Sequence, residues 1–360
     1  MSKPKLFSPG PVDVAPETYA AMAGAAIGHR GADFEELYAS LRPGLQAIVG
    51  TSGPVFTSTS SAWGVMEGAI RNLVQKKVLN LCCGAFSDKW FSVAKSCGKD
   101  AEKIQVEWGQ PIDPEAVRAK LEEGGFDVVT LVHNETSTGV LNPLKEIAEI
   151  VKSFDDVLLV VDTVSSLTAM PMHFDDYKID VLLAGVQKAI ALPPGLAVFA
   201  VSDAALERAS QVDDRGYYFD FVEFSKNDAK NNTPSTPAIP HLYALKERLD
   251  VMLAEGLDNR FARHAETNAL VHAWGEKNGF ELLAPEGFRS LSLSCFVTPD
   301  NLDQGGWIKS VIANHGLAIN GGYGKIKGKT FRISNMGNET PETMQELFDA
   351  LDAELPKFQK

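Results

Sequence analysis

The sequence has few cysteines, no long apolar run and no excess of positive charge. Its four cysteines form neither a CxxC pair nor a cluster with histidine; they are Cys82, Cys83, Cys97 and Cys295. This usage is typical of reduced thiols, so we expect neither a structural disulfide nor a bound metal. No segment approaches the roughly 20 apolar residues that span a bilayer, and residues 1–7 lack an apolar signal core. We therefore expect a cytoplasmic protein that makes no contact with a membrane.

The charge balance and the length set further limits. With 34 basic and 47 acidic residues, the net charge of −13 argues against a surface for nucleic acid or acidic membranes. The 44% hydrophobic and 22% charged residues are ordinary for a soluble globular protein. A chain of 360 residues usually divides into two domains. We expect an N-terminal arm at 1–15, a large α/β domain at 16–245 and a smaller α+β domain at 246–360.

Apolar strand patterns alternate with helical patterns along most of the chain. The candidate strands are continuous apolar runs, as expected of strands buried on both faces; they lie at 55–57, 78–81, 128–132, 157–161, 181–183 and 196–201. This order predicts βαβ units and a mostly parallel sheet covered by helices. Beyond an irregular, proline-containing segment at 215–240, the pattern predicts a long helix over 249–277, a strand over 290–297 and a final helix that begins at Thr340.

Two charged residues follow strand patterns near the centre of the chain. Lys188 comes shortly after one apolar run, and Asp162 ends the run before it. Ligands of open α/β sheets collect at the carboxyl ends of the strands. Pyridoxal phosphate (PLP) needs a lysine amine for its Schiff base and an acid against its ring nitrogen. The pair therefore indicates a PLP site, although each residue alone is also compatible with a solvated lysine or a turn aspartate.

A serine-rich turn offers a place for the phosphate of such a cofactor. Residues 58–64 follow a strand and precede apolar residues at helical spacing, so free N–H groups and the positive end of a helix dipole point at this turn. An ordinary helix N-cap is the alternative. Phe86 also follows a strand, where its ring can stack on a pyridine, although core packing is the commoner fate of a phenylalanine.

Several motifs together resemble the class V aminotransferases of fold type I, and within them the alanine–glyoxylate and serine–glyoxylate (serine–pyruvate) group. The resemblance extends over nearly the whole chain, from FSPGP at 7–11 to FRISNMG at 331–337. Its strongest segments are HNETSTGV at 133–140, VDTVSSL at 161–167 and QKAIALPPG at 187–195. It implies a fold type I PLP-dependent transferase with a mostly parallel central sheet, covering helices and a smaller C-terminal α+β domain.

The resemblance also implies a role for each matching position. Lys188 would form the Schiff base and move a proton at the substrate Cα, Asp162 would pair with the ring nitrogen, and Arg332 would grip the α-carboxylate. The remaining cofactor contacts would be Phe86 and Val164 on the two ring faces, Thr136 near the ring hydroxyl, Ser61, Ala62, Trp63 and Gln187 at the phosphate, and Thr236 from the neighbouring subunit of a homodimer. Trp63 departs from the small residue or histidine usual there, so only its backbone contact is carried over.

The activity implied is transfer of an amino group from serine or alanine to glyoxylate or pyruvate with ping-pong kinetics. His29 and Arg30 could place a basic pair at the mouth of the site. A similar pair in phosphoserine aminotransferases binds the substrate phosphate, so phosphoserine with 2-oxoglutarate is an alternative. A lyase or desulfurase is another, but a desulfurase needs a reactive cysteine before the C-terminal strand, and residues 320–329 contain none. A non-catalytic binding protein on the same fold is the last alternative.

Overall fold

The computed structural model describes residues 3–359. The strands are β1 (Lys5–Leu6), β2 (Val55–Ser58), β3 (Lys77–Cys82), β4 (Asp100–Gln105), β5 (Val128–Val132), β6 (Asn134–Glu135), β7 (Val140–Leu141), β8 (Leu158–Asp162), β9 (Val181–Gly185), β10 (Ala197–Val201), β11 (Leu293–Val297), β12 (Leu317–Ala318), β13 (Asn320–Gly321) and β14 (Thr330–Ser334). The helices are α1 (Pro16–Met22), α2 (Ala32–Val49), α3 (Ala62–Leu73), α4 (Ala85–Ser96), α5 (Pro114–Glu122), α6 (Leu144–Val151), α7 (Asp203–Ser210), α8 (Phe221–Asp228), α9 (Ile239–Glu255), α10 (Leu257–Lys277), α11 (Gln304–His315) and α12 (Pro341–Glu354).

The central sheet has the strand order β2-β10-β9-β8-β5-β3-β4. Its strands are parallel except β10, which runs antiparallel to both of its neighbours. The six strands predicted in this region are confirmed. The edge strand β4 was not predicted, because only its inner face is covered and charged residues alternate with apolar ones along it.

Helices cover both faces of the sheet, as the βαβ pattern predicts. Buried side chains of α2, α5, α6 and α9 form one core with one face of the strands, whereas α3, α4, α7 and α8 form a second core with the other face. The parallel strands β3, β5, β8 and β9 all end at the same edge of the sheet. The residues that follow them are therefore brought together, although they are far apart in sequence.

A three-stranded antiparallel sheet, β11-β14-β13, lies in the C-terminal part of the chain with α10, α11 and α12. Its core mixes aliphatic and aromatic side chains and includes a stack of Trp274 on Trp307. The final helix begins with Thr340 as N-cap and Pro341 in the first turn, which confirms that prediction. The single helix over 249–277 was wrong, because Gly256, at a φ of 83°, separates α9 from α10.

The N-terminal segment joins the two parts of the molecule. Strand β1 pairs in parallel with β12, and the backbone of Phe7 bonds to Ala318 and Ser334. The chain then continues towards the carboxyl edge of the central sheet, where Val12 bonds to the carbonyl oxygen of Gln187. Within residues 3–359 no helix is both long and apolar enough to cross a membrane.

Candidate active site

The turn after β9 carries Lys188, which is only 7% exposed. Its Nζ donates a hydrogen bond to the carbonyl oxygen of Pro9. Gly10 packs so closely on the lysine stem that a Cβ atom there would collide with it. Burial, with a smaller contribution from the Arg332 cation, lowers the pKa of Lys188 to about 8. A useful fraction of the amine is therefore neutral near pH 8, as a nucleophile or a base requires.

Two buried arginines fix the main chain that follows Lys188. Arg260 on α10 donates from Nη2 to the carbonyl oxygen of Ala189 at 2.5 Å, and Arg248 on α9 donates from Nε to that of Ile190 at 3.0 Å. Burial lowers the pKa of Arg260 to about 10, which leaves it charged at neutral pH. Hydrogen bonds from a charged donor are stronger than neutral ones, so the two helices hold the lysine turn in one conformation.

Asp162 is the last residue of β8, on the strand beside that of Lys188. Its Oδ1 accepts a hydrogen bond from the N–H of Val164 at 2.7 Å, and its Oδ2 has no donor among the described residues. Burial raises the pKa of Asp162 to about 7, and the nearby Glu135 adds to the rise. A buried carboxylate with a free oxygen is costly unless a cation pairs with it. This geometry suits a protonated ring nitrogen.

Glu135 ties two turns of the site together, although the sequence pattern gave it no role. It is fully buried, and its Oε1 accepts from the N–H of Phe86 at 3.3 Å and from the N–H and hydroxyl of Ser137 at 3.1 and 2.7 Å. Its Oε2 accepts from the N–H and hydroxyl of Ser87, both at 3.1 Å. Because each oxygen faces a backbone N–H, only a carboxylate can satisfy both turns. Phe86 and Thr136 are thereby held in fixed relative positions.

The residues predicted to contact the pyridine ring follow three neighbouring strands. Phe86 follows β3 and is half-buried, Thr136 follows β5 and is buried, and Val164 follows β8 and is half-buried. The hydroxyl of Thr136 lies 2.5 Å from that of Ser165. The sheet topology brings these turns to the edge that also carries Lys188 and Asp162. Their roles towards the ring stay predictions.

The predicted phosphate residues Ser61, Ala62 and Trp63 lie at the start of α3. Ser61 is the N-cap, and its side chain makes no capping bond. The first N–H groups of a helix have no acceptor within it, so Ala62 and Trp63 offer donors at the positive end of the helix dipole. The Trp63 ring lies 4.7 Å from Nζ of Lys89. The Trp63 ring thus packs against Lys89, and Trp63 can bind an anion through its backbone N–H.

Gln187 and Thr236 were also predicted to bind the phosphate. Gln187 directly precedes Lys188 and is half-buried. Thr236 is exposed, and the segment that contains it is attached to the carboxyl end of β2, where the N–H of Ala238 donates to the hydroxyl of Thr59 at 2.9 Å. The carboxyl end of β2 leads directly into α3, and Gln187 follows the carboxyl end of β9. Gln187 and Thr236 therefore both lie on segments that border the carboxyl edge of the sheet.

Arg332 on β14 is 6% exposed and lies beside the turn that carries Thr136. Its Nη1 donates to the carbonyl oxygen of Thr136 at 3.1 Å, and its Nε and Nη2 donate to that of Gly321 at 3.2 and 3.1 Å. No carboxylate among the described residues forms an ion pair with it. Burial lowers its pKa. A buried guanidinium without an anion is costly, so its remaining N–H groups suit the carboxylate of a ligand.

His29 and Arg30 lie in the turn before α2. His29 is half-buried and Arg30 is exposed. In the part of the chain that the structure describes, neither side chain forms a hydrogen bond or an ion pair with Lys188, Asp162 or Arg332. The structure therefore does not bring this pair into contact with the three central residues, and its role towards substrate stays a prediction.

A buried amine, a buried carboxylate with a free oxygen and a buried guanidinium thus lie around one edge of a mostly parallel sheet. This set fits PLP and an amino acid, and the fold is that of the fold type I PLP-dependent aminotransferases. The family model Aminotransferase class-V matches residues 12–325. The chain belongs to the class V aminotransferase family, its cofactor is PLP, and the resemblance found in its motifs is confirmed.

Individual relatives place the chain near the glyoxylate aminotransferases. It is 38% identical over 341 residues to an uncharacterized aminotransferase of Methanocaldococcus jannaschii, with 93% of this chain and 88% of that one covered. It is 33% identical to a serine–glyoxylate aminotransferase of Methylorubrum extorquens, with 92% and 86% covered. The crystal structure of an alanine–glyoxylate aminotransferase from Nostoc sp. superposes with a TM-score of 0.93 at 28% identity and covers 98% and 95%.

Proposed function

We propose that this aminotransferase moves the amino group of L-serine or L-alanine to glyoxylate or pyruvate, in two half-reactions with ping-pong kinetics. The observation that carries this proposal is the charge balance around Lys188. Arg332, Asp162 and Glu135 are near enough to Lys188 to affect its pKa. Asp162 suits the ring nitrogen and Glu135 already accepts hydrogen bonds from two turns, whereas Arg332 forms no ion pair among the described residues and can bind one carboxylate. A small donor that carries one carboxylate and no second anion matches this arrangement of charges.

The residues would divide the chemistry as follows. PLP supplies an electron sink for the pair of electrons left when the Cα proton departs. Lys188, with its lowered pKa, would hold the cofactor through its amine and would accept the proton from the donor Cα. Asp162 would keep the ring nitrogen protonated, and Arg332 would orient the α-carboxylate so that the Cα–H bond faces the lysine. The N-terminus of α3 would hold the phosphate.

A donor and acceptor screen tests the substrates, and Arg30→Ala sharpens it. A donor without a distal anion has nothing for Arg30 to meet, so we expect the loss in kcat/KM for serine and alanine to be small and similar. A phosphoserine enzyme would lose phosphoserine activity selectively, because its phosphate would lose a charge-assisted partner. A wild-type preference for phosphoserine over serine of about a hundredfold in kcat/KM, or ~2.7 kcal/mol, would overturn the proposed donors.

A desulfurase activity is not proposed. The segment before β14 lacks cysteine, and Cys295, on β11, is buried. Burial raises the pKa of Cys295 to about 11, so its thiol stays protonated at neutral pH. A reactive cysteine needs the opposite environment.

We also propose a homodimer in which Thr236 of each subunit reaches the phosphate of the other. The exposure of Thr236, on a segment attached beside α3, supports this arrangement. Sedimentation should give a dimer, and Thr236→Val should weaken cofactor retention while the circular dichroism spectrum stays unchanged. Thr298→Val is the matched control, because the hydroxyl of Thr298 has no hydrogen-bond partner among the described residues. A fully active monomer would contradict the proposal.

A further inference from the structure

The turn before β14 places one large aromatic side chain, Tyr323, next to two residues of the site. Its ring stacks on that of Phe86, with centroids 5.5 Å apart and planes 12° apart. The Cζ atom of Arg332 lies 5.9 Å from the centroid of the same Tyr323 ring. Tyr323 is 48% exposed, so burial in a core does not account for its position.

Contacts on both sides of Tyr323 hold this turn in place. On one side, Arg332 donates two hydrogen bonds to the carbonyl oxygen of Gly321. On the other, Gly324 has a φ of 59° and a Cβ atom there would lie 2.9 Å from the Trp108 ring. Nζ of Lys325 lies 4.3 Å from the centroid of the same indole. The backbone is therefore anchored, and the Tyr323 ring stays beside Arg332 and Phe86.

We propose that Tyr323 is a specificity-determining residue that limits the length of the donor side chain. The inference rests on the proposed function only in placing the donor carboxylate on Arg332. The Tyr323 ring lies beside both Arg332 and Phe86, so a donor carboxylate held on Arg332 would have this ring as a neighbour, and a long donor side chain would meet it. The ring also stabilises the Arg332 cation through a cation–π contact when no carboxylate is bound.

Unreactive carboxylates measure this limit on the PLP-loaded enzyme without turnover. The probes are the unbranched series from acetate to hexanoate, titrated by calorimetry. In the wild type, affinity should stop rising after the first one or two added methylenes, because the ring blocks longer chains. In Tyr323→Ala, affinity should continue to rise by about fourfold per methylene, equivalent to ~0.8 kcal/mol, through the whole series.

Three further variants separate the effect of the Tyr323 ring from the effects of the turn and of the Arg332 charge. Tyr323→Phe keeps the ring and should reproduce the wild-type dependence on chain length. Lys325→Ala loosens the same turn at Trp108 and should also reproduce it. Arg332→Lys should weaken every carboxylate by a similar factor of roughly 30- to 150-fold, because an ammonium cannot make two parallel hydrogen bonds.

The outcomes distinguish this inference from the proposed function. A Tyr323→Ala profile equal to that of the wild type overturns the inference, and so does a Lys325→Ala profile equal to that of Tyr323→Ala. If the enzyme prefers a donor other than serine or alanine while the profile still depends on Tyr323, the inference stands and the proposed donors are wrong. If no carboxylate binds the wild type, Arg332 is not the clamp and the inference is wrong as well.

Discussion

Replacing Lys188 with alanine should reduce transamination by at least about 10⁴-fold, because it removes the amine that we propose both binds the cofactor and acts as the base. Burial lowers the pKa of this amine to about 8, so it is reactive near neutral pH. Steady-state turnover measures the loss. Borohydride reduction and peptide mapping should find the cofactor on Lys188 in the wild type and no label in the variant.

Lys145→Ala is the matched control for this experiment. Lys145 is exposed on α6 and takes no part in the site. This variant should keep wild-type turnover and the wild-type label. A label on a lysine other than Lys188, or turnover in Lys188→Ala within tenfold of the wild type, would contradict the central assignment.

The central sheet could be predicted because its strands are buried on both faces and read as continuous apolar runs. Lys188 and Asp162 could be predicted for a related reason. A charged residue at or shortly after the end of such a run lies at the carboxyl edge of the sheet, which is where ligands bind. The edge strand β4 was missed because solvent-facing charges alternate with apolar residues along it, whereas the other edge strand, β2, is buried throughout and was predicted. Burial, rather than position in the sheet, therefore decided which strands the sequence pattern could predict.

Glu135 shows why part of the site could not be predicted. Its carboxylate accepts from the backbone N–H groups of Phe86 and Ser87, which lie 49 and 48 residues earlier in the chain. A backbone donor has no sequence signature, so a buried glutamate in a short turn does not reveal its partners. The motif HNETSTGV contained the residue, and only the fold showed that it joins two turns.

The contact of Pro9 with Lys188 is an even longer-range case. The two residues are 179 positions apart, and the contact depends on the path of the N-terminal segment past β12. The motif FSPGP supported the family resemblance without indicating this contact. Gly10 beside the lysine stem is explained only by the space available there. Such close approaches follow from packing between distant segments, which local patterns do not encode.

Replacing Asp162 with asparagine should lower turnover by about 10³-fold, because the neutral amide no longer favours a protonated ring nitrogen. The amide oxygen can still accept the bond from Val164, so the turn should be retained. Cofactor binding should be weakened only in part, and absorbance of the bound cofactor measures it. Asp155→Asn, at an exposed position before β8, is the control and should keep wild-type turnover. Near-normal turnover of Asp162→Asn would show that the carboxylate has no electronic role.

Replacing Asp162 with asparagine should also change the free energy of unfolding, and the change should appear between the pKa values of Asp162 in the unfolded and folded states. In the cofactor-free protein, burial raises the pKa of Asp162 from 3.8 to about 7, so the folded state keeps a proton that the unfolded chain releases. The contribution of Asp162 to the free energy of unfolding should therefore fall as pH rises from about 4 to about 7, and the difference between wild type and variant isolates it from other titrating groups. Asp162→Asn removes that loss. Urea unfolding should find the two proteins equally stable below pH ~4 and the variant more stable above pH ~7, by on the order of 4 kcal/mol. Equal stability at both ends would mean that Asp162 has a cationic partner in the cofactor-free protein.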